Sequence, residues 1–332
     1  MVSRKMYIGE QLGRLTDERL TLSAQLGVEH VAVHSYAGSG VEGVAPGPDG
    51  RWEVAGIRAL QGHLGRFGIT LDVLALDVEG LWWSLLLRAP DREARLEVAR
   101  DNIRIAAEAG VPCLKYRFQP LGVLRTGRVP GRGGAAYSAF DAGRWTDARP
   151  TEAGPVSEER MWEVIAELLR ALVPVAEASG VRLACHPQDP ALPPGGVRGI
   201  PHVLGTVEAL RRFLDLCPSP VHGLNFCQGT VAEMCVDPAR EVPEAIRTFG
   251  AQGKIFMVHF RNITGGRFDF QEVYPDNGDV DMLQAMRAYK EVGYRGMLCP
   301  DHVPQSAVDP GGERQFAFCL GYTRALLQAV GE

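Results

Sequence analysis

The chain has 332 residues, 45% hydrophobic and 23% charged, with a formal net charge of -5. This composition excludes a disordered or low-complexity protein, and the acidic balance argues against nucleic acid or an anionic membrane surface as a partner. The length allows two average domains or one large α/β barrel, and a chain of this size buries its core without staples.

The N-terminal stretch "MVSRKMYIGEQ" has no apolar h-region and predicts no signal peptide. The longest apolar cluster, Leu81 to Leu87, is too short to span a bilayer. Seven cysteines without a CxxC pair fit reduced thiols, and so a cytoplasmic protein, better than a disulfide framework.

In chain order, runs rich in Val, Ile, Leu, Phe and Tyr fall at 4–10, 30–35, 70–76, 112–118, 181–187, 221–227, 254–260 and 296–302. They lack strict polar alternation, as strands buried on both faces do. Amphipathic stretches separate them. "TDERLTLSAQLG" starts on Thr16, with acids in its first turn and Gly27 at its end. "DREARLEVARDNIRIAAEAG", "SEERMWEVIAELLRALVPVAEASG" and "DVDMLQAMRAYKEVG" share that design. Eight strands with intervening helices predict one (β/α)8 TIM barrel over residues 1–332. A doubly wound sheet ranks lower because no GxGxxG turn follows the first strand. Two long segments, 119–155 and 188–201, are expected to be loops at the C-terminal face, where barrel lids and binding loops sit.

Barrel active sites form at the C-terminal strand ends. The last four strands end in His186, Cys227, His259 and Asp301. A buried cysteine alone is more often a small core hydrophobe than a ligand. Four such residues at successive strand ends change that balance, because imidazole, thiolate and carboxylate together suit a divalent first-row metal. The donor set alone does not choose among manganese, iron, zinc and cobalt. His302 follows Asp301 directly, placed either for proton transfer or to orient a ligand. Arg261 shares the strand face of His259, with Asn262 beside it, and can pair with a substrate carboxylate. His34 ends the second strand and faces the same rim. Arg125, Arg128 and Arg132 form a basic run in the first long segment that could close over an anionic substrate, with Arg125 as the substrate contact, or simply be solvated. His30 and His222 start strands and belong at the far end; His63 and His202 are expected to be solvated.

The motifs "HPQDP", "GLNFCQGT", "VHFRN", "FQE" with "GDVDM", and "PDH" occur in this order over about the last 150 residues. In them the sequence resembles the mannonate dehydratase family, whose barrel is xylose-isomerase-like. The first half matches more loosely, through "MYIGE", "YRFQP" and the Arg125–Thr126 pair. The resemblance implies a divalent metal, usually Mn2+, held by His186, Cys227, His259 and Asp301. It implies conversion of D-mannonate to 2-keto-3-deoxy-D-gluconate by loss of water, with His302 as an acid–base residue. It also implies a small sugar-acid substrate and, by family habit, a homo-oligomer. Several positions depart from the family pattern. Phe316 and Phe318 stand about where a tyrosine is expected, Gln188 replaces an acid, and Gln271 and Pro275 replace histidines. Two rival readings follow: a metal-dependent sugar isomerase or epimerase of the same barrel type, and a non-catalytic sugar-acid binder.

Overall fold

The computed structural model describes residues 5–332; Arg4, where the first expected strand begins, lies outside them. Among the described residues thirteen strands form two sheets. They are β1 (Tyr7–Ile8), β2 (Glu10–Leu12), β3 (His30–Val33), β4 (Thr70–Ala75), β5 (Cys113–Arg117), β6 (Gly127–Pro130), β7 (Ala136–Asp141), β8 (Arg182–His186), β9 (His222–Cys227), β10 (Ile255–His259), β11 (Asn262–Gly266), β12 (Asp269–Val273) and β13 (Met297–Cys299).

The larger sheet is parallel and runs β1-β13-β10-β9-β8-β5-β4-β3-β2. Its two edges, β1 and β2, are halves of one strand interrupted at Gly9, so the sheet closes on itself as the expected eight-stranded barrel. At Gly9 a Cβ would collide with the Met297 side chain and come within 2.9 Å of the His30 carbonyl, so only glycine lets these strands approach. Strand interiors alternate as a barrel requires. Ala32, Val73, Cys113, Ala184, Met257 and Cys299 pack inside the barrel, while Val31, Leu74, Leu114, Leu183 and Val258 pack with the larger core cluster.

Helices follow the sequence signals. Thr16 caps Asp17–Gln25 by accepting from the Arg19 amide at 3.2 Å. Ser157 caps Glu158–Ser179, which ends at Gly180 with φ 70°. Asp281 caps Met282–Glu291. No helix among the described residues is long and apolar enough to cross a membrane.

The expected loop over 119–155 is partly folded. Its strands β6 and β7 join β12 and β11 in a four-stranded antiparallel sheet. Glycine, alanine, arginine and proline dominate the segment's composition and hide the strand signal. Tyr137 and Phe140 carry β7 by burying their rings, and Phe140 packs 5.9 Å from Phe270 of β12. His202 also departs from expectation. It is buried, its Nδ1 lies 2.8 Å from the Pro190 carbonyl, and burial lowers its imidazole to about 4. His63 is half-buried, with Nε2 3.0 Å from the Leu15 carbonyl. His30 and His222 lie at strand starts as expected, His30 on Asp72 at 3.0 Å and His222 on the Cys217 carbonyl at 3.0 Å.

Candidate metal centre

Side chains two apart on a strand share a face. Ala184 and Met257 point into the barrel, so His186 and His259 do as well, and Cys227 and Asp301 follow on β9 and beyond β13. Cys227 pairs in register with His259, which also pairs with Cys299. One donor atom from each of His186, Cys227, His259 and Asp301 lies within 4.8 Å of all the others. Cys227 Sγ is 3.7 Å from Asp301 Oδ2, and His259 Nδ1 is 3.5 Å from Asp301 Oδ1.

The hydrogen bonds around this cup leave the right atoms free. His186 Nδ1 lies 2.6 Å from the Pro187 carbonyl and so donates there, leaving Nε2 as the lone pair. His259 Nε2 lies 3.1 Å from Gln11 Oε1 and donates to it. The Asn225 amide, 3.3 Å from the same nitrogen, fits this tautomer with its oxygen turned inward. His259 Nδ1 is then a buried lone pair with no hydrogen-bond partner among the described residues. An orphaned imidazole nitrogen facing a carboxylate and a thiol fits a divalent cation between them. The charges agree. Burial is the largest influence and would raise the Cys227 thiol, but the Arg261 guanidinium and His259 together outweigh it and hold the thiol below its ordinary value. Burial likewise opposes ionisation of Asp301, but His259, His302 and Arg261 hold its carboxyl well below the usual range.

Beside the cup lies a buried ion cluster. Arg261 Nη1 is 2.9 Å from Glu233 and 2.6 Å from Glu272, and its Nη2 is 3.2 Å from Asp189. Arg125 also pairs with Asp189 and Glu272, and its Nη2 stands 3.4 Å from Glu233. Burial and the neighbouring Asp189 push the Glu233 carboxyl well above the carboxylate range. Asp189, Glu272 and His302 also bring donor atoms within 4.8 Å of one another, but the two guanidiniums already neutralise these carboxylates. Gly229 lets the cluster form, because a Cβ there would sit 2.5 Å from Arg261 Nε. His302 Nδ1 lies 2.6 Å from Glu272 Oε1. Burial alone would lower the His302 imidazole, but the Asp301 and Glu272 carboxylates outweigh it and raise it to about 10.

A cavity of about 660 Å³ opens over the cup, lined by His34, His186, His259, Asp301 and His302 among others. Its remaining wall includes Tyr36, Tyr116, Lys115, Trp52, Trp82 and Trp83.

The four cup residues and His302 fall within the segment that a family model covers. Residues 151–330 match the family D-mannonate dehydratase (UxuA). Mannonate dehydratase 2 of Halalkalibacterium halodurans is 30% identical over 282 residues, covering 76% of this chain and 79% of that one. The chain belongs to the mannonate dehydratase family. Mannonate dehydratase of Thermotoga petrophila is 29% identical over 304 residues, 79% of this chain and 82% of its own. The crystal structure of mannonate dehydratase from Streptococcus suis superposes with a TM-score of 0.80 at 24% identity, over 98% of this chain and 97% of that one. A xylose isomerase domain protein from Planctomyces limnophilus gives 0.60 at 18% identity over 98% and 99%, a likeness of fold.

Within this family member the sequence-read residues divide into two groups. His34, His186, Cys227, His259, Asp301 and His302 gather at the barrel mouth. Arg125, Arg261 and Asn262 do not line the cavity. Both arginines are spent on buried carboxylates, Arg261 with a side chain only 1% exposed. Asn262 donates to the Pro275 and Val280 carbonyls, both at 2.9 Å, and braces the loop between them. Phe316 lies under the Arg19 guanidinium and Phe318 stacks with Tyr322, all away from the cavity. Sequence reading gave no role to Asp189, Glu233, Glu272, Gln11 or Lys115. Asp189 and Glu272 sit inside the quoted motifs, and Lys115 is a charge in the middle of an apolar strand. Each was a legible signal of a buried polar task.

Proposed function

We propose that the chain dehydrates a sugar acid with the help of a divalent metal, converting D-mannonate or a related aldonate to its 2-keto-3-deoxy acid. The observation that carries this reading is the four-donor cup, sharing one cavity wall with a histidine anchored on Glu272. His186, Cys227, His259 and Asp301 would hold the metal. Manganese is the first choice by family resemblance, and the donors also suit iron, zinc or cobalt. When bound, the cation supplies Lewis-acid stabilisation of the charge that develops on substrate oxygen.

The chain's own groups do the rest. The reaction removes the proton α to the carboxylate and hydroxide from the next carbon, and the resulting enol becomes the ketone. Glu272 fixes His302 through Nδ1, leaving Nε2 to move one of the protons. Tyr36, on the same wall, is the available donor for the other, whereas Tyr116 points from β5 into the outer core against Phe118. No tyrosine of the last helix, Glu313–Ala329, lines the cavity. That observation keeps the isomerase or epimerase reading, which expels no water, as the second choice.

The test is incubation of the manganese-loaded protein with D-mannonate and mass spectrometry of the product. Loss of water supports the dehydratase. An isomer of unchanged mass supports the rival, and tight binding without turnover makes the protein a sugar-acid binder.

A further inference from the structure

β5 sends Cys113, Lys115 and Arg117 to the barrel interior. Arg117 is in register with His186, so it stands at the rim beside the cup; Lys115 lies one layer below it. The cup draws its donors from the ends of β8, β9, β10 and β13. β5 flanks β8, so Lys115 lies beside the cup, where it meets Gln11 and His34. Both Lys115 and Arg117 line the cavity.

Their pairing is unlike that of the other arginines near the site. Lys115 Nζ donates to Gln11 Oε1 and lies 3.1 Å from His34 Nδ1, both neutral partners. Burial lowers the His34 imidazole to about 4, with Lys115 adding to the shift, so His34 meets the ammonium as a lone pair. Neither Lys115 nor Arg117 forms an ion pair among the described residues, although Lys115 is only 5% exposed. Arg95 also lines the cavity, but Asp91 holds it at 2.6 Å. A buried ammonium without a counter-ion is costly and is retained where an anion arrives to complete it. The depression of Lys115 to about 8, caused first by burial, is the mark of that cost.

We propose that Lys115 and Arg117 form the anion subsite of this cavity, receiving the carboxylate of the sugar acid while its hydroxyls face the cup. The choice of ligand rests on the sugar-acid reading above; the subsite itself rests on the two unpaired cations. Arg261 and Arg125, the arginines that sequence position favours for this role, are already neutralised.

The experiment is calorimetric titration of the metal-loaded protein with D-mannonate, D-mannitol and D-mannose 6-phosphate. D-mannitol carries the same carbon chain without the charge. Lys115→Met and Arg117→Gln should each weaken D-mannonate binding by about tenfold or more and leave D-mannitol binding unchanged. Arg117 is exposed, so its variant keeps the test open if Lys115→Met fails to fold. Unchanged D-mannonate binding in Arg117→Gln and in folded Lys115→Met, or equal losses for acid and alcohol, would overturn the subsite. So would wild-type preference for D-mannose 6-phosphate with the same variant dependence, which would make the anion a phosphate. Selective binding lost in the variants without any turnover upholds the subsite and removes the dehydratase reading. Turnover that neither variant alters does the reverse.

Discussion

Glu272 Oε1 lies 2.6 Å from His302 Nδ1, and the contact joins two different parts of the fold. Glu272 belongs to β12, in the antiparallel sheet formed with the inserted hairpin, whereas His302 follows the last barrel strand. The antiparallel sheet therefore reaches the barrel mouth through Glu272 of β12, which orients the residue proposed for proton transfer. Glu272→Gln should lower kcat on the order of 10- to 100-fold, the usual cost of losing an orienting partner, with bound metal retained. His302→Ala should cost more, about 10²- to 10⁴-fold. Steady-state kinetics with metal analysis of the same samples decides; an undiminished kcat in Glu272→Gln would remove the orienting role.

The cup makes a second prediction. Purified wild-type protein should carry about one transition metal per chain by mass spectrometry, and Cys227→Ala should lose most of it. Chelation should lower the melting temperature of the wild type, and manganese should restore it. At a metal concentration about a thousandfold above Kd the linkage amounts to about 4 kcal/mol. Cys227→Ala should melt at the same temperature with or without added manganese. A wild type that neither holds metal nor responds to it would return Cys227 to the core.

The ion cluster predicts a strong asymmetry among arginines. Arg261 is shared among Asp189, Glu233 and Glu272 out of contact with water, so Arg261→Met leaves buried carboxyl groups short of a cation. The expected loss is about 3–5 kcal/mol of unfolding free energy. Arg132 pairs with Asp276 at 2.7 Å on the surface, both side chains about a third or more exposed. Arg132→Ala should stay within about 1 kcal/mol. Urea denaturation of both variants beside the wild type gives the comparison, and equal losses would contradict the buried role of Arg261.

The barrel was legible because its strands are continuous apolar runs and its helices carry caps and closing glycines. The cup was legible because the side-chain period of a strand says which residue reaches the rim. The roles of Arg261 and Arg125 were not, since their carboxylate partners come from positions 189, 233 and 272, and nothing local marks those acids as neighbours. The β6–β7 hairpin escaped notice because its composition is that of a loop and its strand character depends on pairing with β12. His202 looked solvated for a similar reason: its partner is the Pro190 carbonyl, brought to it only by tertiary folding.

Lys115 gives the pH prediction. Burial lowers it to about 8 in the folded chain, against roughly 10.4 when unfolded. Between those values the unfolded chain binds a proton that the folded chain does not, so unfolding free energy rises with pH across this window. This contribution is fully present above the unfolded value and is lost as pH falls through about 8. Lys115→Met lacks the group and should lack the slope. The stability difference between wild type and variant should therefore move in favour of the wild type by roughly 3 kcal/mol across the window. Urea midpoints at a series of pH values measure it. A bound carboxylate draws the ammonium back toward its ordinary value, so saturating D-mannonate should flatten the wild-type slope. Parallel curves for wild type and variant without ligand would mean that Lys115 is not held as a buried charge.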